Sequence, residues 1–409
     1  MSSESPKTGA PVFTMSLMVT GNLLGAGILA LPINFGPAGL YPTLFGIVLV
    51  WALMLYTAFV LAAQPDLACG ETGGLPSFFG AKLGQGAKWL AVAADLVIFY
   101  GVLTAYLTGT TTILVNLFHL PIGRMAVTVC YFVVAAGLAS FGMGLLRRCN
   151  AAILLGMTVT FLALIVMLAG HMDIARAGHM RFGFMPAALP VALTAFLFHN
   201  LIPTLCREMR GDVAAMRRSI LYGSLLGLVM NLVWVTAVFC TLPMESPKAT
   251  SILGAFAHNL PATVPLSILL GSQLFQDVGL VFAILAMTAA FLANGVALQG
   301  FLLDLTDTCL GLRNTVVTWL LAFMPPLVVS MVYPDIFLVV MNLVGGVGIC
   351  LLFGILPALL AYRQGLGGKK TLAAVAILLF GLILGFEVAQ EFGLTHILPD
   401  TEYWHHFRE

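Results

Sequence analysis

The stretch Gly21-Asn22-Leu23-Leu24-Gly25-Ala26-Gly27-Ile28-Leu29-Ala30-Leu31-Pro32 lies inside an apolar run that begins at Val12. Three glycines and a proline interrupt what would otherwise be continuous helix. Glycine costs about 1 kcal/mol relative to alanine in a helix interior, and proline about 3 kcal/mol. In hydrocarbon the cost rises, because an unpaired backbone N–H or C=O finds no water. A membrane segment keeps such a break where protein or a polar ligand takes up the freed groups. The stretch therefore reads as half of a ligand site.

The chain around it has 409 residues, 60% of them hydrophobic and only 9% charged, with a mean hydropathy of +1.03. Soluble domains carry about 25% charged residues, so this is an all-α integral membrane protein with the lipid bilayer as its surroundings. A net charge of +1 argues against nucleic-acid binding as a main role. Residues 1–11 lack the charged start and small-residue cleavage site of a secretory signal, so the first apolar run is expected to remain as a span. The seven cysteines contain no CxxC pair and the eight histidines are dispersed, so no disulfide framework, metal site or cofactor is expected. His396 and the pair His405-His406 read as a solvated tail.

A helix needs about 20 mostly apolar residues to cross about 30 Å of hydrocarbon. Eleven runs meet that requirement: 12–35, 40–64, 87–117, 125–144, 151–170, 188–206, 220–242, 278–303, 316–332, 336–362 and 372–389. Residues 244–276 carry charges and prolines and read as an external loop with a short helix near 252–258. With the N-terminus inside, 13 of the 18 lysines and arginines fall in inner loops, leaving Arg124, Arg176, Arg181, Lys248 and Arg408 outside. The excess of basic residues marks the cytoplasmic face, and an odd number of spans puts the C-terminus on the external side.

The pattern has an internal echo. The sixth run is broken at Phe198-His199-Asn200-Leu201-Ile202-Pro203, five runs after the first break, so the second half would be inverted relative to the first. Interrupted segments at corresponding positions of two halves point to a transporter's binding site. The expected organisation is one transmembrane domain over 1–409, with repeat one at 12–170, repeat two at 188–362 and an extra helix at 372–389.

An unwound segment exposes N–H groups at the start of one half-helix and C=O groups at the end of the other, each end carrying about half a unit of charge. A zwitterionic amino acid matches both ends. Gly25, Ala26 and Gly27 would offer N–H groups to its carboxylate, glycine allowing close approach to the backbone. Gly21 and Asn22, with carbonyls near Phe196 and Phe198, would face its ammonium. Close helix packing is the competing reason for small residues, and it is the reading adopted for Gly345-Gly346-Val347-Gly348.

Other polar residues within the runs leave alternatives open. His199 is either a proton carrier or ligand partner, or a neutral imidazole satisfying backbone at the break, and Asn200 stands beside it. Asp95 should face the interior, since a carboxylate at the bilayer centre costs about 2.5–3.5 kcal/mol; it shares a helix face with Tyr106, eleven positions on. It could serve proton coupling or an inner gate, or pair with Lys88 or Arg147. Thr288 and Asn294 either line the pathway or join helices. Glu387 and Asp277 read as interfacial. A membrane enzyme is disfavoured by the absence of HExxH and GxSxG patterns, and a channel by the scarcity of intramembrane charge.

Several of these stretches resemble the hydroxy and aromatic amino acid permease family, the tyrosine and tryptophan permeases. They are Gly25-Ala26-Gly27-Ile28-Leu29-Ala30-Leu31-Pro32, Trp51-Ala52-Leu53-Met54-Leu55-Tyr56-Thr57-Ala58, Ala105-Tyr106-Leu107-Thr108-Gly109 and Phe198-His199-Asn200-Leu201-Ile202-Pro203-Thr204-Leu205. Tyr222-Gly223-Ser224 resembles the start of the family's seventh span, and Glu71-Thr72-Gly73-Gly74 is similar to the wider auxin and amino acid permease group. The resemblance implies the leucine-transporter fold of two inverted five-span repeats, and Tyr106 near the substrate. It also implies proton-driven import of tyrosine or tryptophan, across what would be a bacterial inner membrane. The chain departs from the family's pattern at Leu197, Asn200 and Leu201, where glycines usually flank the histidine, and at Ala63-Gln64, where an acid often closes the second span. Sodium coupling would need hydroxyls in the eighth run, where Thr288 offers one but Ala289 and Ala290 none.

Overall fold

The structure is a computed structural model that describes residues 12–64, 67, 74–118, 123–141, 143–178, 180–210, 212–246, 250–365, 370–395 and 397–405, without the side chains of 118 and 143–151. Glu71, Thr72 and Gly73, the Arg147 side chain, and His396 and His406 lie outside the described residues.

Each of the eleven apolar runs carries helix, interrupted within the first and the sixth. Among the described residues, nine helices are long and apolar enough to cross a membrane, and the pair Val12–Leu23 and Ala26–Ala38 makes a tenth span bent by 50°. The fourth run differs from expectation. Its helix, Arg124–Ala139, has 16 residues, about 24 Å of rise, because the chain turns out of helix at Ser140 and Phe141. The eighth helix, Gln273–Leu310, starts before the predicted run. The loop ahead of it holds two short helices, Ile252–Ala257 and Thr263–Leu270, the first capped by the Ser251 hydroxyl accepting from the Gly254 N–H at 3.1 Å.

The packing has a two-fold logic. The first half of the first span packs on the seventh, and the first half of the sixth packs on the second. The third span meets the tenth, as the eighth meets the fifth. Exchanging the first five spans for the next five reproduces each of these neighbours, as an inverted repeat requires.

Glycines set the closest contacts. A Cβ on Gly223 would lie 2.5 Å from the Ser16 carbonyl oxygen, and one on Gly227 would lie 2.4 Å from Leu23, so the first and seventh spans touch backbone to side chain. The tenth span is π-helical from Val344 to Ile355. Within it a Cβ on Gly345 would overlap the Pro190 carbonyl, one on Gly346 would meet Glu387 Cγ at 2.5 Å, and one on Gly348 would meet Ile98 at 2.6 Å. This glycine run thus seats the sixth, eleventh and third spans together, and packing is what it does.

One end of the bundle is closed by loops. Arg181 N–H donates to the Ala38 carbonyl at 2.7 Å and Ala262 N–H to the Leu29 carbonyl at 3.0 Å. Two sequence expectations fail here. The C-terminal segment is not a solvated tail: Trp404 is buried, its indole donates to the Pro37 carbonyl at 3.2 Å, and Asp400 pairs with Arg181 at 2.6 Å. Burying a Trp body while its N–H finds a carbonyl accounts for the docking. Glu387 is not interfacial either; it is 3% exposed, covered by the tenth span where Gly346 admits its stem. Asp277 does sit at a helix end, accepting from Gln273 Nε2 at 3.0 Å.

Candidate functional site

The first span unwinds at Leu24 and Gly25. Helix Ala26–Asn34 therefore starts mid-span, with Gly25 as its N-cap and no side-chain hydrogen bond capping it. The first N–H groups of a helix have no intrahelical acceptor, so this terminus presents unfilled donors and the positive end of the dipole. The sixth span unwinds at Phe196 to Phe198, between helices Met185–Ala195 and Ile202–Glu208, with a 3-10 turn at His199–Leu201. Pro203 in the first turn of the second half suits a helix start.

Asn22 ties the two breaks together. Its Nδ2 donates to the Leu197 carbonyl at 2.7 Å and to Asn200 Oδ1 at 3.1 Å. Between the breaks lies a cavity of about 340 Å³ of empty space, lined by Asn22, Leu23, Gly25, Ala26, Gly27, Tyr106, Thr194, Leu197, Ala290, Asn294 and Met341. A Cβ placed on Gly25 would stand 3.7 Å from both the Tyr106 hydroxyl and Ala290 Cβ. The Tyr106 oxygen is thus aimed at the break. Asn294 donates Nδ2 to the Ala290 carbonyl at 2.9 Å, which leaves its buried Oδ1 without a donor and on the cavity wall.

The cavity is therefore bordered both by helix-start N–H donors and by an unpartnered amide acceptor. A carboxylate suits the first and an ammonium the second, with Tyr106, Leu197, Met341 and Leu23 left to meet the rest of the molecule.

A larger vestibule of about 1680 Å³ shares Asn22 and Ala290 with this cavity and opens toward Arg207 and Asp304. Gly21, Asn200 and Asp95 line it. Asp95 is 7% exposed, and among the described residues nothing pairs with its carboxylate. The predicted alternative of a pair with Lys88 does not form; Lys88 stands over the Trp89 ring, 5.8 Å from its centroid.

Of the residues singled out in the sequence, Asn22, Gly25, Ala26, Gly27, Tyr106 and Asn294 converge on the cavity, and Gly21, Asn200 and Asp95 on the vestibule. Four do not. Phe196 and Phe198 are fully buried away from both spaces; the carbonyl that faces the first break belongs to Leu197 between them. His199 is fully buried toward the second span, its Nε2 3.0 Å from Thr57 Oγ1 and its ring between Phe198 and Phe353 at 4.7 and 5.1 Å. Its Nδ1 is buried and has no partner among the described residues, so the ring is not seen satisfying backbone freed at the break. Thr288 joins helices through the Tyr131 hydroxyl at 3.2 Å. Gly27 has a packing role as well, since a Cβ there would come within 2.5 Å of Ala195 Cα. Thr194, Leu197, Ala290 and Met341 carry no such signal in the sequence. An apolar residue inside an apolar run bears no mark that it faces a cavity, and Thr194 is indistinguishable by pattern from a threonine returning its hydroxyl to the backbone.

The sequence profile of the tryptophan/tyrosine permease family matches residues 8–388. Among relatives, tyrosine-specific transport system 1 of Haemophilus influenzae is 25% identical over 334 residues, covering 81% of this chain and 82% of the relative. Tyrosine-specific transport system 2 of the same organism is 28% identical over 390 residues, covering 91% and 92%. The solved structure of MhsT in complex with L-phenylalanine superposes with a TM-score of 0.63 at 14% identity, covering 93% of this chain and 100% of that one. That likeness is one of fold, the leucine-transporter fold.

Proposed function

The chain belongs to the tryptophan/tyrosine permease family, and from that premise we propose that it imports an aromatic amino acid, tyrosine or tryptophan, by proton symport with alternating access. It is a multi-pass membrane transporter and not an enzyme. One observation carries the substrate reading: the uncapped start of helix Ala26–Asn34 and the unpartnered Asn294 Oδ1 border one cavity with the Tyr106 hydroxyl. The carboxylate binds the Ala26 and Gly27 N–H groups, the ammonium binds Asn294, and the side chain lies against Tyr106, Leu197 and Met341.

The vestibule opens toward the end bearing Arg207, the end the basic loops mark as cytoplasmic, while the docked C-terminal segment covers the other. The membrane is a bacterial inner membrane, with the N-terminus cytoplasmic and the C-terminus external. The repeats run over 12–170 and 188–362, with 372–389 outside them. Asp95, buried on the vestibule wall with no partner among the described residues, takes up and releases the coupling proton. One charge moving through 100 mV releases about 2.3 kcal/mol, and tenfold accumulation needs about 1.4 kcal/mol. One proton per substrate therefore sustains roughly fifty-fold accumulation from the potential alone. Sodium is less well served, because Thr288 is engaged by Tyr131 and its neighbours Ala289 and Ala290 bear no side-chain oxygen.

The test is uptake into proteoliposomes under an imposed pH or sodium gradient, with labelled tyrosine, tryptophan, serine and leucine offered in turn. Tyrosine or tryptophan should accumulate under the pH gradient alone. Accumulation that needs sodium and ignores pH removes the proton coupling; no gradient-driven accumulation of any of the four removes the transporter reading of this site.

A further inference from the structure

A second polar hollow, of about 610 Å³, lies at the closed end of the bundle and shares no residue with the cavity or the vestibule. Its polar lining is Asn34, Asn342, Glu387, Gln390 and Glu391, with Phe184, Phe256 and Ile397 among its apolar walls. Asn34 is the last residue of the outer half of the first span and is 1% exposed, yet its Oδ1 has no donor. Asn342, two residues before the π-helical stretch of the tenth span, likewise has a buried Oδ1 with no donor. Glu387 comes from the eleventh span and is 3% exposed, while Glu391 one turn on is exposed at the mouth.

Among the described residues, lysine, arginine and histidine are absent from this lining. Two carboxylates four residues apart on a helix repel each other, and a buried charge without a partner is strongly unfavourable. Two orphaned amide oxygens beside a buried carboxylate form a set of acceptors in search of a positive centre. Hard cations are held by carboxylate and amide oxygens. One buried carboxylate with neutral oxygens balances a single charge, since Glu391 remains in contact with water.

We propose that this hollow is a binding site for a monovalent alkali cation, with Glu387 supplying the charge and Asn34 and Asn342 the neutral oxygens. It is separate from the substrate cavity and needs no assumption about the substrate. Occupancy joins the outer half of the first span to the tenth and eleventh spans, and so favours the closed arrangement of this end. Anything that binds only the folded arrangement raises its stability in a saturable way.

The experiment is the thermal unfolding midpoint of the purified full-length protein, titrated with sodium chloride, potassium chloride or choline chloride at constant ionic strength. The midpoint should rise saturably with sodium or potassium and not with choline. Glu387→Gln should remove the rise, and Asn342→Ala, at a half-buried position, should weaken it and serves as the second variant if Glu387→Gln does not fold. Equal midpoints in all three salts would overturn the site. So would a rise retained in Glu387→Gln, a rise with calcium or magnesium alone, or a rise on acidification without any alkali response.

Discussion

Gly25 and Gly27 stand two residues apart in one motif and do different work. A Cβ on Gly25 reaches only the Tyr106 hydroxyl and Ala290 at 3.7 Å, ordinary contact, whereas a Cβ on Gly27 runs into the Ala195 backbone at 2.5 Å. Gly25→Val should therefore insert and fold with an unchanged melting temperature while its side chain fills the cavity and abolishes uptake. Gly27→Val should lower the melting temperature or fail to fold, because close-packed interiors do not yield to an added group without strain. Normal transport by Gly25→Val would mean that the break serves packing alone. Asn294 offers a sharper probe, since its Oδ1 is the orphaned acceptor on the wall. A hydrogen bond to a charged group contributes about 1.5–3 kcal/mol, so Asn294→Leu should weaken substrate binding roughly tenfold to a hundredfold. Binding measured on the purified variant checks this, and an unchanged affinity would place the ammonium elsewhere.

At the scale of elements, the two interrupted spans act as one unit because Asn22 bridges them. Its bonds to the Leu197 carbonyl and to Asn200 cross from the first break to the second. Asn22→Ala and Asn200→Ala should each destabilise the protein, and the pair should be non-additive by about 0.5–3 kcal/mol in a double-mutant cycle on thermal or denaturant unfolding. Additive losses would mean that the bridge does not couple the halves. Both breaks were legible in the sequence, because glycine and proline weaken a helix wherever they fall inside an apolar run. The direction of each side chain at the breaks was not. Phe198, His199 and Asn200 are consecutive, yet one buries its ring, one turns to Thr57 and one bonds Asn22. In a 3-10 turn the rotation per residue departs from that of a helix, so helical spacing could not say which of the three would face the ligand. The same limit hid Glu387: whether a carboxylate near a helix end meets water or protein depends on the glycine opposite it, here Gly346.

On the scale of the whole molecule, the order of the apolar runs and the helices they form were legible from hydropathy, since hydrocarbon thickness sets helix length, whereas nine to ten of the eleven runs meet the length for a span among the described residues. The shorter fourth helix and the docked C-terminal segment were not legible, because polar turns and a tryptophan near the end of the chain carry no periodic signal. The structure has a vestibule on one side of the break and a closed end on the other, the asymmetry expected of one state in an alternating cycle. If Asp95 carries the coupling proton, Asp95→Asn should lose pH-driven accumulation while still exchanging internal for external substrate. Accumulation kept by Asp95→Asn would move the proton site. The central claim is that the start of helix Ala26–Asn34 and the Asn294 amide oxygen together recognise a zwitterion. Competition against labelled tyrosine on the purified protein tests it most directly, using tyrosine, tryptophan, tyramine (which lacks the carboxylate) and 3-(4-hydroxyphenyl)propionate (which lacks the ammonium). Tyrosine or tryptophan should displace the label and the two half-molecules should compete at least tenfold more weakly, about 1.4 kcal/mol or more for each lost end; a half-molecule that competes as well as tyrosine would contradict the claim.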